Sequence, residues 1–488
     1  MAEVTARQER PHLRATLLLS CLAQFMVILD VSVVNVALPA IRGGLHFTEA
    51  NLQWVVNAYT VTFAGFLLLG GRAADLLGRR RVFVAGLTLF AVTSLIGGVA
   101  TSQGVLIGAR ALQGLGGAVI APASLSILTT TFPEGPERNR AVGIWGAMGG
   151  AGGAAGVLLG GVLTDLLSWR WILFINVPIG LTAAFLAHRL IAEGRAAGRT
   201  RNFDLAGALA ATLGLSILVF GIVRTDTTGW GSAQTLALIG AGVVLLLAFL
   251  AIEGRLASMP LMPLRIYASR SLSASNVIVL LLGGATFGMW FFLSLYLQQV
   301  RGYSPIRAGL SFLPMTLCIV AGSALASQMV ARIGAKTLLV AGMVAETLGL
   351  LLFTQLSATG TYLGDVLVPS LLVAIGIGLS FVPATIGAVA GVAPQEAGLA
   401  SGLVNTSRLV GGALGLAILA ALAAARTNSD LHRRVADSAH VALTNGFQLA
   451  FLIAAGFSLI GGLVAAFGMP RIKPRAAGPR AQPAAAES

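Results

Sequence analysis

The chain has 488 residues, 56 % of them hydrophobic and only 10 % charged, against about 25 % charged in a soluble domain. No water-soluble fold hides that much apolar surface, so the composition points to an integral membrane protein. The formal charge of +14, from 32 Lys and Arg against 18 Asp and Glu, is read as membrane topology and not as a nucleic-acid footprint, because basic residues hold cytoplasmic loops in place.

A helix needs about 20 apolar residues to cross the ~30 Å hydrocarbon core. Fourteen stretches qualify: 15–38, 52–71, 82–101, 104–130, 140–164, 171–190, 204–223, 234–252, 272–298, 307–331, 337–356, 362–388, 399–423 and 446–468. The first is too long for a signal h-region and has no cleavage site, so it is expected to stay as the first span. An even count puts both termini on one side. The loops and ends on that side hold 22 Lys and Arg and the opposite side holds eight, which places both termini in the cytoplasm of a multi-pass cell-membrane protein.

Two segments recur roughly 260 residues apart. Gly71–Arg80 reads GRAADLLGRR and Ser327–Lys336 reads SQMVARIGAK, with Gly78 matching Gly334. Gly114, Gly116 and Pro122 are echoed by Gly376, Gly378 and Pro383. Parallel six-helix repeats characterise one large transporter architecture. The expected organisation is a six-helix bundle over 1–190, two linker helices with their loops over 191–270, a second six-helix bundle over 271–470, and a disordered basic tail over 471–488.

The two cysteines, Cys21 and Cys318, fall in apolar stretches, and five histidines are scattered without ligand spacing. No disulfide framework, metal site or cofactor is expected. Function must then be read from polar groups inside the spans. Asp30 sits in the first, within Leu29–Pro39. An ionisable residue there costs at least ~2.5 kcal/mol on insertion scales, so it needs a partner or a task. A carboxyl that gains and loses a proton in each cycle would couple transport to a proton gradient. The bland alternative is a structural pair near the outer end. Arg110, in the fourth stretch, cannot neutralise itself and must find a carboxylate, carbonyl or water. It is a candidate to tune Asp30 or, alternatively, a packing residue beside Gln113, Gly114 and Gly116. Glu346 is a candidate second proton site.

Gly71, Asp75, Gly78, Arg79 and Arg80 form a tight turn between the second and third stretches, read as a cytoplasmic gate or as plain topology signal. The fifth stretch carries Gly146, Gly149, Gly156, Gly160 and Gly161, a hinge or static close packing. Asn35, Trp54, Tyr59, Gln113, Trp290, Asp365 and Arg408 are candidates to line a substrate cavity.

Leu29–Pro39, Gly71–Arg81, Arg110–Gly117 and Gly146–Gly161 together resemble the signature motifs of the major facilitator superfamily. The tracts Leu52–Tyr59, Trp169–Pro178 and Phe249–Pro263 resemble its fourteen-helix drug:proton antiporter family, the QacA/EmrB-like multidrug efflux transporters. The resemblance covers essentially the whole chain. It implies an all-α polytopic fold of two six-helix bundles with two additional helices between them, alternating access, and export of drugs or other amphipathic molecules against protons. It also implies proton coupling at Asp30, relay at Arg110, and a gate at Asp75 and Arg79. One departure is Val157, where the family's antiporter motif usually has Pro. The expected partners are a small molecule, protons and lipid, with no nucleic acid, for a monomer. The rivals are a proton-coupled importer or symporter of a metabolite on the same fold, and a membrane enzyme. The latter would need a loop cluster of acids or His that the sequence lacks.

Overall fold

The structure, a computed structural model, describes residues 2–133, 136–193, 204–257, 260–390, 392, 396–432 and 438–470. The expected tail and the loop arginines Arg195, Arg199 and Arg201 lie outside the described residues, as does the side chain of Asp75. Among the described residues, fourteen helices are long and apolar enough to cross a membrane, in order: α1 (Leu13–Leu45), α2 (Trp54–Ala74), α3 (Arg79–Gly98), α4 (Gln103–Thr131), α5 (Arg140–Leu166), α6 (Trp171–Leu190), α7 (Leu205–Thr225), α8 (Ala233–Leu256), α9 (Arg270–Val300), α10 (Pro305–Val330), α11 (Ala335–Phe353), α12 (Tyr362–Val389), α13 (Leu399–His432) and α14 (Ala439–Gly468).

Local chemistry sets many of the ends. Ser102, Asp204, Ser232, Ser269, Ser304 and Ser438 each accept a hydrogen bond from a backbone N–H in the first turn of the helix they precede, satisfying one otherwise orphaned donor. The α2–α3 and α10–α11 turns pass through Gly78 at φ 108° and Gly334 at φ 83°, a backbone region that glycine enters freely. These are the two glycines aligned by the sequence repeat. Helices α1 and α13 run well past the expected 38 and 423. Polar residues continue them: Arg426 and Asp430, one turn apart, pair at 3.2 Å on the α13 extension.

The packing is twofold. In the first half α1 packs on α4, α5 and α6, α2 on α4, and α3 on α4 and α6. In the second half α9 packs on α12, α13 and α14, α10 on α12, and α11 on α12 and α14. Each contact of one half has its counterpart eight helices later in the other. The halves meet along two equivalent seams, α2 against α13 and α5 against α10. The α7–α8 hairpin breaks the equivalence, because α7 lies on α2 and α13. Only 11 % of the α8 window is buried, and the helix packs chiefly on α7.

The end of the bundle that carries the start of α1 and the finish of α14 is the terminal face, and the other is the far face. At the far face the halves are joined by hydrogen bonds. Ser294 Oγ donates to the Asn35 carbonyl at 2.6 Å, Gln298 Nε2 to the Val36 carbonyl at 2.8 Å, and Arg42 to Gln299 Oε1 at 2.8 Å.

Candidate functional site

Asp30 sits at mid-depth on α1 and is fully buried. The Arg110 guanidinium on α4 donates to its Oδ2 at 2.5 Å, while Gln113 on α4 and Asn176 on α6 each donate to Oδ1 at 2.8 Å. Arg110 also donates through Nε to the Val55 carbonyl of α2 at 3.0 Å and to Gln113 Oε1 at 2.6 Å. Its Cζ lies 4.5 Å from the Tyr59 ring centroid. Ser94 of α3 accepts from Gln113 at 2.7 Å and from Asn176 at 3.2 Å. Five helices of the first half therefore converge on one carboxylate. Gly114 lets this happen: a Cβ there would overlap the Tyr59 carbonyl, so only glycine allows α4 this close to α2. Charge-assisted bonds of this kind are roughly twice as strong as neutral ones. Breaking one leaves a buried charge exposed to low dielectric.

Glu346 on α11 is also fully buried, but its company differs. Its oxygens accept from Ser458 Oγ of α14 at 3.0 Å and from Thr286 Oγ1 of α9 at 3.4 Å, and no basic side chain is paired with it among the described residues. α11, α14 and α9 are the counterparts of α3, α6 and α1. Each half thus buries a carboxyl at the same junction, one beside a guanidinium and one among hydroxyls. A Cβ at Gly376 of α12 would lie 2.6 Å from the Glu346 Cβ, so glycine seats this carboxyl too.

The turn between α2 and α3 is tied to its own half. Glu193, just past α6, sits 3.5 Å from Arg80 Nε and 3.4 Å from Arg81 Nε. Arg80 also reaches the Ile191 carbonyl at 3.3 Å. The Glu193 carboxylate lies against Gly78, where a Cβ would collide with it. Gly71 faces Pro122 of α4, 3.4 Å from where its Cβ would be. Arg79 opens α3.

The glycines of α5 divide into two sets. A Cβ at Gly156 would lie 2.8 Å from the Leu29 carbonyl oxygen, and one at Gly160 2.8 Å from that of Val33, so these residues let α5 ride directly on α1. Gly161 faces the other half, with the Pro305 carbonyl oxygen of α10 at 2.7 Å. A Cβ at Gly146 or Gly149 would meet nothing within 4 Å. Val157, where the resembled motif has Pro, is buried, and its carbonyl lies against Gly309 of α10.

The cavity candidates scatter. Gln113 and Tyr59 belong to the Asp30 cluster. Asn35 is part of the far-face latch. Trp54 faces α7, its ring centroid 6.2 Å from that of Phe220, and so packs at the seam. Asp365 lies in the first turn of α12 against Gly360, toward the far end. Trp290 stacks on Phe312 at 4.9 Å. Arg408 lies at mid-depth on α13, bonded to Asn405. Ser94, Asn176, Glu193, Thr286 and Ser458 were not singled out by sequence. Asn176 alone carried a signal, inside the Trp169–Pro178 tract.

The sequence model of the Major Facilitator Superfamily matches residues 20–416. The chain is 46 % identical to a cephamycin export protein of Amycolatopsis lactamdurans, over 86 % of this chain and 87 % of that one. It is 40 % identical to a puromycin resistance protein of Streptomyces alboniger, over 91 % and 88 %. Among solved structures, a bacterial homolog of the human lysosomal transporter Spinster, in an inward-facing and unoccupied conformation, shares the fold at a TM-score of 0.65 and 16 % identity, covering 93 % of this chain and 96 % of that one.

Proposed function

The chain belongs to the major facilitator superfamily, whose members are secondary transporters and not enzymes, and on that premise we propose that it exports hydrophobic or amphipathic small molecules across the cytoplasmic membrane in exchange for protons. The observation that carries this reading is Asp30, a fully buried carboxyl held by Arg110, Gln113 and Asn176. A guanidinium cannot give up its charge in a protein. When Asp30 takes a proton, the guanidinium loses its counter-ion and the cluster between α1, α4 and α6 must rearrange. Protonation and helix position are therefore one event. Glu346 is the second candidate, because hydroxyl partners can accept from a neutral carboxyl as readily as they donate to an ionised one.

Alternating access follows from the two seams. Parting the far-face bonds between α1 and α9 while the terminal-face ends close would hand the space between the halves from one side to the other. Gly156 and Gly160 make α5 move with α1, so the Asp30 cluster and the α5–α10 seam are mechanically joined. The protonmotive force suffices as the driver, without a cofactor. The bias of basic residues toward the terminal face supports a cytoplasmic position for both termini. Relatives named for cephamycin export and puromycin resistance support outward movement of antibiotic-like molecules.

The test uses inverted membrane vesicles energised to an acid interior. Uptake of a lipophilic dye or antibiotic should collapse on adding a protonophore and should be lost in Asp30→Asn. Full gradient-driven uptake in Asp30→Asn at normal expression would refute the coupling assignment.

A further inference from the structure

Among the described residues, four ionisable side chains lie at mid-depth in the spans: Asp30, Arg110, Glu346 and Arg408. Three have partners that account for them. Asp30 and Arg110 hold one another, and Glu346 is held by two hydroxyls. Arg408 is different. Its Nε and Nη2 reach only Asn405 Oδ1, one turn back on α13, at 3.3 and 3.0 Å, and its Cζ lies 5.7 Å from the Phe381 ring centroid. Among the described residues no carboxylate is paired with it. A guanidinium cannot shed its charge, and a neutral amide with a distant aromatic face offsets only part of its desolvation. An intramembrane cation left this way marks a place where an anion belongs.

The position is fixed by the backbone. A Cβ at Gly283 of α9 would overlap the Arg408 carbonyl, so α13 is clamped to α9 at this level. The neighbouring Leu409 is part of the apolar cluster of the first half, and Phe287 packs against clusters of both halves. The guanidinium therefore lies where the halves face each other. Arg408, Phe287 and Phe381 are all half-buried, with Phe381 beside the guanidinium and Phe287 one turn along α13 against Gly412, which gives a charged fork bordered by aromatic surface.

We infer that Arg408 anchors an acidic group of the transported molecule, so that the substrate class is a singly charged anionic amphiphile bearing a carboxylate or similar oxyanion. The fork matches the two oxygens of such a group, and the aromatic faces take its apolar body. A cationic amphiphile would meet an uncompensated like charge. The inference deepens the export reading for the molecule's fate but needs only binding for its test.

The probes are anilinonaphthalene sulfonate and phenylnaphthylamine, which share a ring system and differ by the sulfonate. Each is titrated calorimetrically into full-length protein in nanodiscs, with empty nanodiscs subtracted. The wild type should prefer the sulfonate. Arg408→Gln should lower sulfonate affinity by about tenfold or more and leave the neutral amine unchanged, which shows that the fold persists. Arg408→Lys should fall between them. A wild type without the preference, or a preference that survives Arg408→Gln, overturns the inference. The titration uses no gradient, so failure of proton-driven export and failure of this site are told apart.

Discussion

The Asp30–Arg110 pair makes a thermodynamic prediction that separates architecture from coupling. Arg110→Met removes a 2.5 Å charged bond and leaves Asp30 with two neutral amide donors, Gln113 and Asn176. Removing one partner of a buried pair costs about 3–5 kcal/mol, most of it the uncompensated charge left behind. Asp30→Asn should cost less, about 2–3 kcal/mol, because the guanidinium keeps the Val55 carbonyl, Gln113 Oε1 and the Tyr59 face. The double variant carries no orphaned charge. It should be no less stable than Arg110→Met alone, a coupling of roughly 2–3 kcal/mol. Unfolding by SDS titration in mixed micelles, followed by tryptophan fluorescence, measures all three. Penalties that add to within about 0.5 kcal/mol would refute the claim that the two side chains form one unit. The double variant should also fail in gradient-driven transport despite its recovered stability, since it has no group at that position to carry a proton.

Three further expectations follow from the geometry. Gly156→Val should lower expression and thermal stability and abolish transport, because its Cβ would meet the Leu29 carbonyl oxygen at 2.8 Å, whereas Gly149→Ala should be neutral or stabilise by up to about 1 kcal/mol; melting curves of the purified variants decide this. Replacing Gln298 and Gln299 by Ala removes two far-face bonds between the halves, worth about 0.5–1.5 kcal/mol each, and should raise thiol labelling of cysteines placed at the far ends of α1 and α9. Glu193→Ala loosens a partly exposed pairing with Arg80 and Arg81, so stability should change by less than about 1 kcal/mol while turnover in vesicles falls.

What the sequence made legible was whatever the membrane enforces locally. Span number, order and rough ends come from hydropathy, because each apolar stretch must satisfy its own backbone in lipid. Gly78 and Gly334 were readable as repeat-related turns for the same local reason. Asp30 and Arg110 stood out individually because buried charge is rare, but their pairing joins residues 80 apart in the chain, and no periodicity encodes it. Ser94, Thr286 and Ser458 were invisible, since hydroxyls are common in membrane helices and become meaningful only beside a buried carboxyl. The packing of Trp54 on Phe220 of α7 was equally unreadable, because a tryptophan looks the same whether it faces a neighbouring helix or a cavity. The glycines of α5 read as one motif. Only packing distinguishes Gly156 and Gly160, pressed on α1, from Gly146 and Gly149, where a side chain would find open space.

The least symmetric element, the α7–α8 hairpin, raises a question that the seam itself answers. α7 lies on both α2 and α13, yet those helices belong to halves that must part, so α7 can travel with only one of them. Its contacts with the two are alike in extent and differ in kind. Gly65 of α2 lets backbone meet backbone, with the Thr212 Cα 3.1 Å from where the Gly65 Cβ would be. Toward α13 the contact is side-chain deep: Leu215, Val219 and Ile222 lie against Ala413, Ala417 and Ala421, a stripe of methyl groups smooth enough to slide over. α7 should therefore ride with the first half. With the native Cys21 and Cys318 replaced, a short thiol cross-link between Gly65→Cys and Thr212→Cys should leave transport intact, while one between Val219→Cys and Ala417→Cys should arrest it. The opposite pattern would assign the hairpin to the second half, and arrest by both would make α7 a rigid strap across the seam, incompatible with opening there.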